Sequence, residues 1–260
     1  MPARLIGPRR QAGTFYKKRP TSKKATAKIS APMRKAVVKV IASQQESKQN
    51  TSQTVSVNFN SSITSTAEFY SCIPTVALGT ESFERVGQSI RPTRLECNWS
   101  ISHQNVTRSG DQRVVLYVLR HKGLKSFPAV QSLAVPGELL TAGQGGVTGF
   151  NGYVNQCDLP INTERYTLVK KFTIPINKNV GVVQNNTATG DSPITMHTAK
   201  HIKAVFKLPK LLYDEGTAVN PNNQALFWCL GYAHPDGSAP DTVNQDIIVS
   251  STMNLFYKDA

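Results

Sequence analysis

The stretch RPTRLECNWSIS, Arg91–Ser102, decides the fold class. Leu95, Cys97, Trp99 and Ile101 take the odd positions, and Arg94, Glu96, Asn98 and Ser100 the even ones. Successive side chains of a strand point to opposite faces, so a period of two means one buried face and one wet face. The same texture recurs on both sides of this stretch. Val55, Val57 and Phe59 alternate with Ser56 and Asn58, which puts all three on the inner face. In KHIKAVFKLPK (Lys200–Lys210), Ile202, Ala204, Phe206 and Leu208 share one face while His201, Lys203 and Lys207 share the other. RYTLVKKFTIPI (Arg165–Ile176) follows Tyr166, Leu168, Phe172, Ile174 and Ile176, with Lys170 out of phase. QRVVLYVLRH (Gln112–His121) is a continuous apolar run, which suits a strand covered on both faces. Glu68–Ile73, Asn223–Ala233 and Gln245–Asp259 bring the total to about eight strands.

Turn-rich segments such as ALGTESFERVGQ, QNNTATGDSP and AHPDGSAPD separate the strands, and no βαβ alternation is visible. The expectation is an all-β chain, as a sandwich, jelly roll or barrel. The connection over 122–162 is too long for a structureless hairpin. It is expected to carry a short helix near Pro128–Leu133 and to reach across the surface.

Charge divides the chain sharply. Residues 1–50 carry thirteen Lys or Arg against one acid, Glu46, for a net +12 of the formal +14. An excess confined to one end marks a tail that meets a polyanion. The tail's cations are Arg4, Arg9, Arg10, Lys17, Lys18, Arg19, Lys23, Lys24, Lys28, Arg34, Lys35, Lys39 and Lys48. All but Lys48 are candidate phosphate contacts, each releasing a condensed counterion on binding. Phe15 and Tyr16 are candidates for stacking on unpaired bases. Arg9, Arg10, Lys17, Lys18, Arg19, Lys23 and Lys24 also read as a nuclear import signal. Residues 1–30 hold too little apolar content to pack and are expected to be disordered. Then Pro32, preceded by Ser30 as a cap, opens a short basic amphipathic helix over about 32–46, with Met33, Val37, Val40 and Ile41 on its apolar side. The domain division is therefore a basic arm over 1–50 and a single β domain over 51–260.

Other chemistries fit poorly. Gly143, Gly145 and Gly149 lack the G-x-G-x-x-G spacing of a phosphate loop. His197 and His201 lie in strand texture, where positions four apart are separated by roughly 13 Å, too far to share a metal. Asp214, Glu215, Asp236 and Asp241 fall in loops; calcium between subunits is one reading of them, solvated loop acids the default. Neither G-x-S-x-G nor H-E-x-x-H occurs, so no enzyme, metal or cofactor is expected. No run of eighteen apolar residues and no signal-type leader are present, so no membrane partner is expected. Cys72, Cys97, Cys157 and Cys229 are widely spaced and read as buried reduced thiols.

Four short segments carry a resemblance. SFERVGQSIRPTRLECNWSI contains R-x-G-x-x-I (Arg85, Gly87, Ile90); RYTLVKKFTI follows the long connection; STMNLFYKDA closes on Tyr257, Lys258 and Asp259; and QESKQ holds Glu46 and Lys48 as E-x-K. In their order along the chain they resemble the capsid proteins of circular, replication-protein-encoding single-stranded DNA viruses, the circovirus-like coat proteins. The resemblance implies an eight-stranded antiparallel jelly roll that self-assembles into an icosahedral T=1 shell of sixty copies. The shell would package single-stranded nucleic acid, with the virion and the host nucleus as its places and an import receptor as a further partner. Twelve net arm charges from sixty copies would offset on the order of 700 phosphates. The arm departs from those of the animal circoviruses, which are denser in Arg; here only five of its thirteen cations are Arg. The chain ends one residue after Asp259, so no second, protruding domain is expected. Small RNA viruses use similar jelly rolls, so DNA over RNA rests on the motif resemblance alone. A monomeric nucleic-acid-binding β protein would share the tail but need aromatic residues on an exposed sheet face. A cupin-type enzyme would need a His cluster that is absent here.

Overall fold

A computed structural model of the chain describes residues 30–44, 46–103, 111–176, 178–183, 192–197, 199–214, 218–238 and 246–259. The chain divides after Gln44 into a segment holding helix α1 (Ala31–Gln44) and a compact β unit. Strands are numbered in chain order. One sheet runs β1 (Ser47–Phe59), β13 (Ile247–Asp259), β3 (Ser89–His103), β10 (Lys200–Phe206), with β11 (Leu211–Leu212) also on β3. The other runs β2 (Tyr70–Ser71), β12 (Leu226–Ala233), β4 (Gln112–His121), β7 (Tyr166–Ile176). Two small hairpins complete the set, β5 (Leu140–Thr141) with β6 (Val147–Thr148), and β8 (Lys178–Val183) with β9 (Ser192–His197). The fold is all-β, and every strand pair is antiparallel.

All eight strands read from the sequence are present, and they pair as a nested set: β1 with β13, β2 with β12, β3 with β10, β4 with β7. The inward residues of both sheets fill one core. Trp228 is at its centre, stacked on Tyr70 at 4.8 Å between ring centroids, with Phe59 at 5.6 Å and Trp99 edge-on at 6.3 Å. A second core lies on the other face of the β2-β12-β4-β7 sheet. There Val115, Tyr117, Leu119, Phe227 and Cys229 meet Val130, Leu139, Leu140 and Phe150 of the long connection. The continuous apolar run of β4 thus has its explanation: Val114, Leu116 and Val118 enter one core and their neighbours the other. The connection carries the expected helix, α2 (Phe127–Leu133). It is tied down by Arg113, which donates to both carboxylate oxygens of Asp158 at 2.9 and 2.6 Å. Lys171 adds a bond to the Cys157 carbonyl at 2.6 Å. All four cysteines are buried free thiols.

Several sequence expectations need correction. Val55 does not face inward; it is 71% exposed. A bulge between Thr54 and Val57, with Ser56 at φ 49°, shifts the phase of β1 so that Val57 and Phe59 turn to the core. Leu168 is likewise exposed. The register of β7 slips between its partners Val118 and Leu119, so that Val169 packs inward and Lys170 falls out of phase. β1 begins at Ser47, well before the apolar alternation, and Glu68–Ile73 contracts to the two residues of β2. The β5–β6 and β8–β9 hairpins and β11 were not anticipated.

Three of the residues that carry the family resemblance, Lys48, Arg85 and Asp259, lie at one corner. Lys48 is 5% exposed; its Nζ is 3.1 Å from Asp259 and donates to the Glu84 carbonyl at 2.8 Å, joining the first strand to the last. Arg85 is buried. It donates to the carbonyls of Gly87 and Ala218 and lies 4.5 Å from the Tyr213 ring centroid. These side chains hold the sandwich shut, a structural role.

Candidate nucleic-acid interface

Of the predicted arm contacts, Arg4, Arg9, Arg10, Phe15, Tyr16, Lys17, Lys18, Arg19, Lys23, Lys24 and Lys28 lie outside the described residues. Arg34, Lys35 and Lys39 lie on α1. The Arg34 amide bonds the Ser30 carbonyl at 3.0 Å, which makes Ser30 the residue that enters the helix. Arg34 and Lys35 present exposed side chains, so these two cations are free to reach a phosphate.

The β domain adds a basic surface of its own. The outward residues of the β1-β13-β3-β10 sheet are small and polar at its middle: Thr51, Asn98, Ser100, Ser250, Thr252 and Asn254. Cations flank them. Register places Lys258 opposite Arg91, Phe256 opposite Arg94, Lys203 opposite Asn98 and His201 opposite Ser100. Glu96 sits between Arg94 and Lys203, 3.4 Å from the first and 3.6 Å from the second. Such exposed pairs add little stability, but they hold both cations over the sheet. The Arg94 guanidinium lies 4.1 Å above the ring centroid of Phe256. Alongside, a recess of about 330 Å³ is lined by Asn98, Ser100, His201, Lys203, Ser250 and Thr252, with Trp99 and Ile202 beneath.

This face offers what a phosphate backbone needs: spaced cations, hydroxyl and amide donors, and a guanidinium plane on which a base can stack. Lys203 lies on the polar strand face read from the sequence, whereas Arg94 and Phe256 were not singled out there. The signal was present, because Phe256 breaks the phase of Ile247, Val249, Met253, Leu255 and Tyr257. Phe59 and Trp99 are buried, and Phe172 and Phe206 pack against the core, as their phase implied.

Two of the four loop carboxylates, Asp214 and Asp236, lie among the described residues. Asp214 accepts from Asn222 Nδ2, and Asp236 from the Ser238 amide at 2.9 Å, which holds the Asp236 carboxyl below its usual range. Glu215 and Asp241 lie outside the described residues. His197 ends β9 and His201 lies in β10, both in strand as read. Among the described residues no helix is long and apolar enough to cross a membrane. Compared with known proteins, the chain matches no family model and no curated protein sequence.

Proposed function

We propose that this chain is a viral coat protein of the single jelly-roll type, which assembles into a small icosahedral shell and packages single-stranded nucleic acid. The observation that carries the reading is the nested pairing of the eight principal strands, directly downstream of residues 1–46, which carry a net +11. A jelly roll is a long antiparallel hairpin wrapped into two sheets, so first meets last, second meets seventh, and so inward. The paired order here follows that rule. One sheet is padded by the long connection while the other leaves a flat, basic, polar face. This asymmetry suits a shell subunit whose two sides meet different surroundings.

In this reading the arm condenses the genome, with the open face as a secondary contact. Shell closure comes from repeated contacts between copies, each modest alone and decisive in a closed symmetric set. The arm run from Arg9 to Lys24 also serves nuclear import. Single-stranded DNA as cargo follows from the motif resemblance, and RNA is the alternative.

Electron microscopy of the full-length protein beside a variant lacking residues 1–45, with the absorbance ratio at 260 and 280 nm, tests the proposal. The expected result is closed particles that carry nucleic acid only when the arm is present. The truncation leaves β1 and its Lys48 tie whole. Protein that binds nucleic acid in a salt-sensitive way and never assembles would favour the second reading, a monomeric binding module. The Arg94–Phe256 stack on the open face is the observation in favour of that reading.

A further inference from the structure

We infer that the end of the β2-β12-β4-β7 sheet binds a tetrahedral oxyanion of the phosphate or sulfate class. The site is a recess of about 230 Å³ lined by Arg120, His121, Lys122, Lys125, Thr167 and Gln224. It lies on strands that take no part in the open basic face, and it holds whether or not the chain assembles.

Register brings the site together. Arg120 is flanked in the sheet by Leu226 and Thr167, so the ends of β12, β4 and β7 converge on it. Alternation places Arg120 on the same side as Leu116 and Val118. Its guanidinium Nε is buried there and makes no hydrogen bond to the protein. Gln224 Nε2, just before β12, is buried and unbonded in the same way. Two buried N–H donors left without protein acceptors on one recess are uncommon, because such groups are almost always paired. Both are donors only, so the complement is an acceptor.

The charge has the same sign. Arg120, Lys122 and Lys125 line the recess, and no carboxylate does among the described residues. The nearby Arg165 is occupied by Glu138, its Nε 2.9 Å from the carboxylate. His121 is fixed as a further donor. Its Nδ1 accepts the amides of Gly123 and Leu124 at 3.1 and 2.9 Å, so the proton of the neutral ring is on Nε2. Burial, then Arg165 and Lys125, favour that neutral form. The turn that carries Lys122 and Lys125 is itself anchored: Lys125 Nζ donates to the Lys122 carbonyl at 2.7 Å, and the Lys122 amide to the Arg165 carbonyl at 2.8 Å. Three cations, an imidazole, a hydroxyl and an amide side chain thus line one volume. An oxyanion with acceptors on every vertex satisfies them together, whereas chloride presents a single point.

Isothermal titration calorimetry of the full-length chain tests this with sodium phosphate, sodium sulfate and sodium chloride at constant ionic strength. The comparison set is Lys122→Gln with Lys125→Gln, and separately Gln224→Leu. Arm cations contribute equally to all three proteins, so the site is read from the difference. Phosphate, sulfate or both should bind the native chain with heat that chloride lacks. The lysine pair variant should weaken this at least tenfold, and Gln224→Leu severalfold, both with unchanged melting temperature in chloride. Whichever oxyanion binds more tightly names the geometry and charge that the recess prefers. Equal heats for chloride and both oxyanions, or variants that bind as the native chain does, would overturn the proposal.

Discussion

The two sheets of the β unit start from similar strands and end in different surroundings. In β4 and β12 both faces are buried, one against the opposite sheet and one against the long connection. In β3 and β13 the inner residues are buried and the outer ones half-exposed along nearly the whole strand. Where a second layer covers the sheet, the polar half of the alternation disappears. Where none does, it survives as Ser, Thr, Asn and cations. Packing therefore constrains the covered sheet at every position, but the open sheet only at every other one. The alternate positions of the open sheet are left available for binding.

The sharpest way to break this comparison is to place one charge on each face of the covered sheet and one on the outer face of the open sheet. Val115→Asp and Leu116→Asp point into different cores, and each should cost more than about 4 kcal/mol or abolish folding. Ser100→Asp, on the open face, should stay within about 0.5 kcal/mol by urea denaturation. Equal losses at all three sites would mean that the open face is covered after all.

The next largest effect concerns the tie between the first and last strands of the open sheet. Lys48→Ala removes the buried partner of Asp259 and should destabilise by about 3 kcal/mol, read as a lowered urea midpoint. The covered sheet has a comparable weak point at Gly231, where an added Cβ would stand 2.5 Å from the Phe150 ring of the long connection. Gly231→Ala should cost about 2 kcal/mol and make the connection more sensitive to limited proteolysis than the rest of the unit.

Binding should separate from stability on the open face. Phe256→Ser should weaken single-stranded oligonucleotide binding by about 1 kcal/mol in filter or fluorescence assays. The melting temperature should move far less than for any core substitution. The smallest effect is a pH dependence in the covered sheet. The Arg113 side chain lowers the Asp158 carboxyl below the usual carboxylate range. A depressed folded-state value means that the tie is fully present above the ordinary carboxylate pKa and fades as pH falls through the lowered one. Arg113→Gln should remove that acid sensitivity from the cleavage rate of the long connection.

Strand positions were legible in the sequence because both of their burial regimes leave a pattern, alternation for β3 and a continuous run for β4. The helix in the connection was legible from Pro128 and the apolar residues after it. Partners were not legible, since nothing in Lys48 announces Asp259, more than two hundred residues away. The bulge at Ser56 and the slip at Val169 were hidden for a related reason. A phase change is enforced by the neighbouring strand, and the strand's own composition does not report it. KNVGVV and SPITMH escaped notice because Gly181 and Pro193 interrupt any periodic reading.

The nested pairing also sets a clock. β1 is synthesised before its partner β13, with the rest of the β unit between them. Closing a loop of that length is slow, and pairings of such separation delay folding. During synthesis the first strand therefore waits unpaired beside a basic tail that is already long enough to meet a polyanion. Sheet closure waits for β13, and so does anything that depends on a closed sandwich. A chain cut short before β13 would carry the basic segment without a closed sandwich.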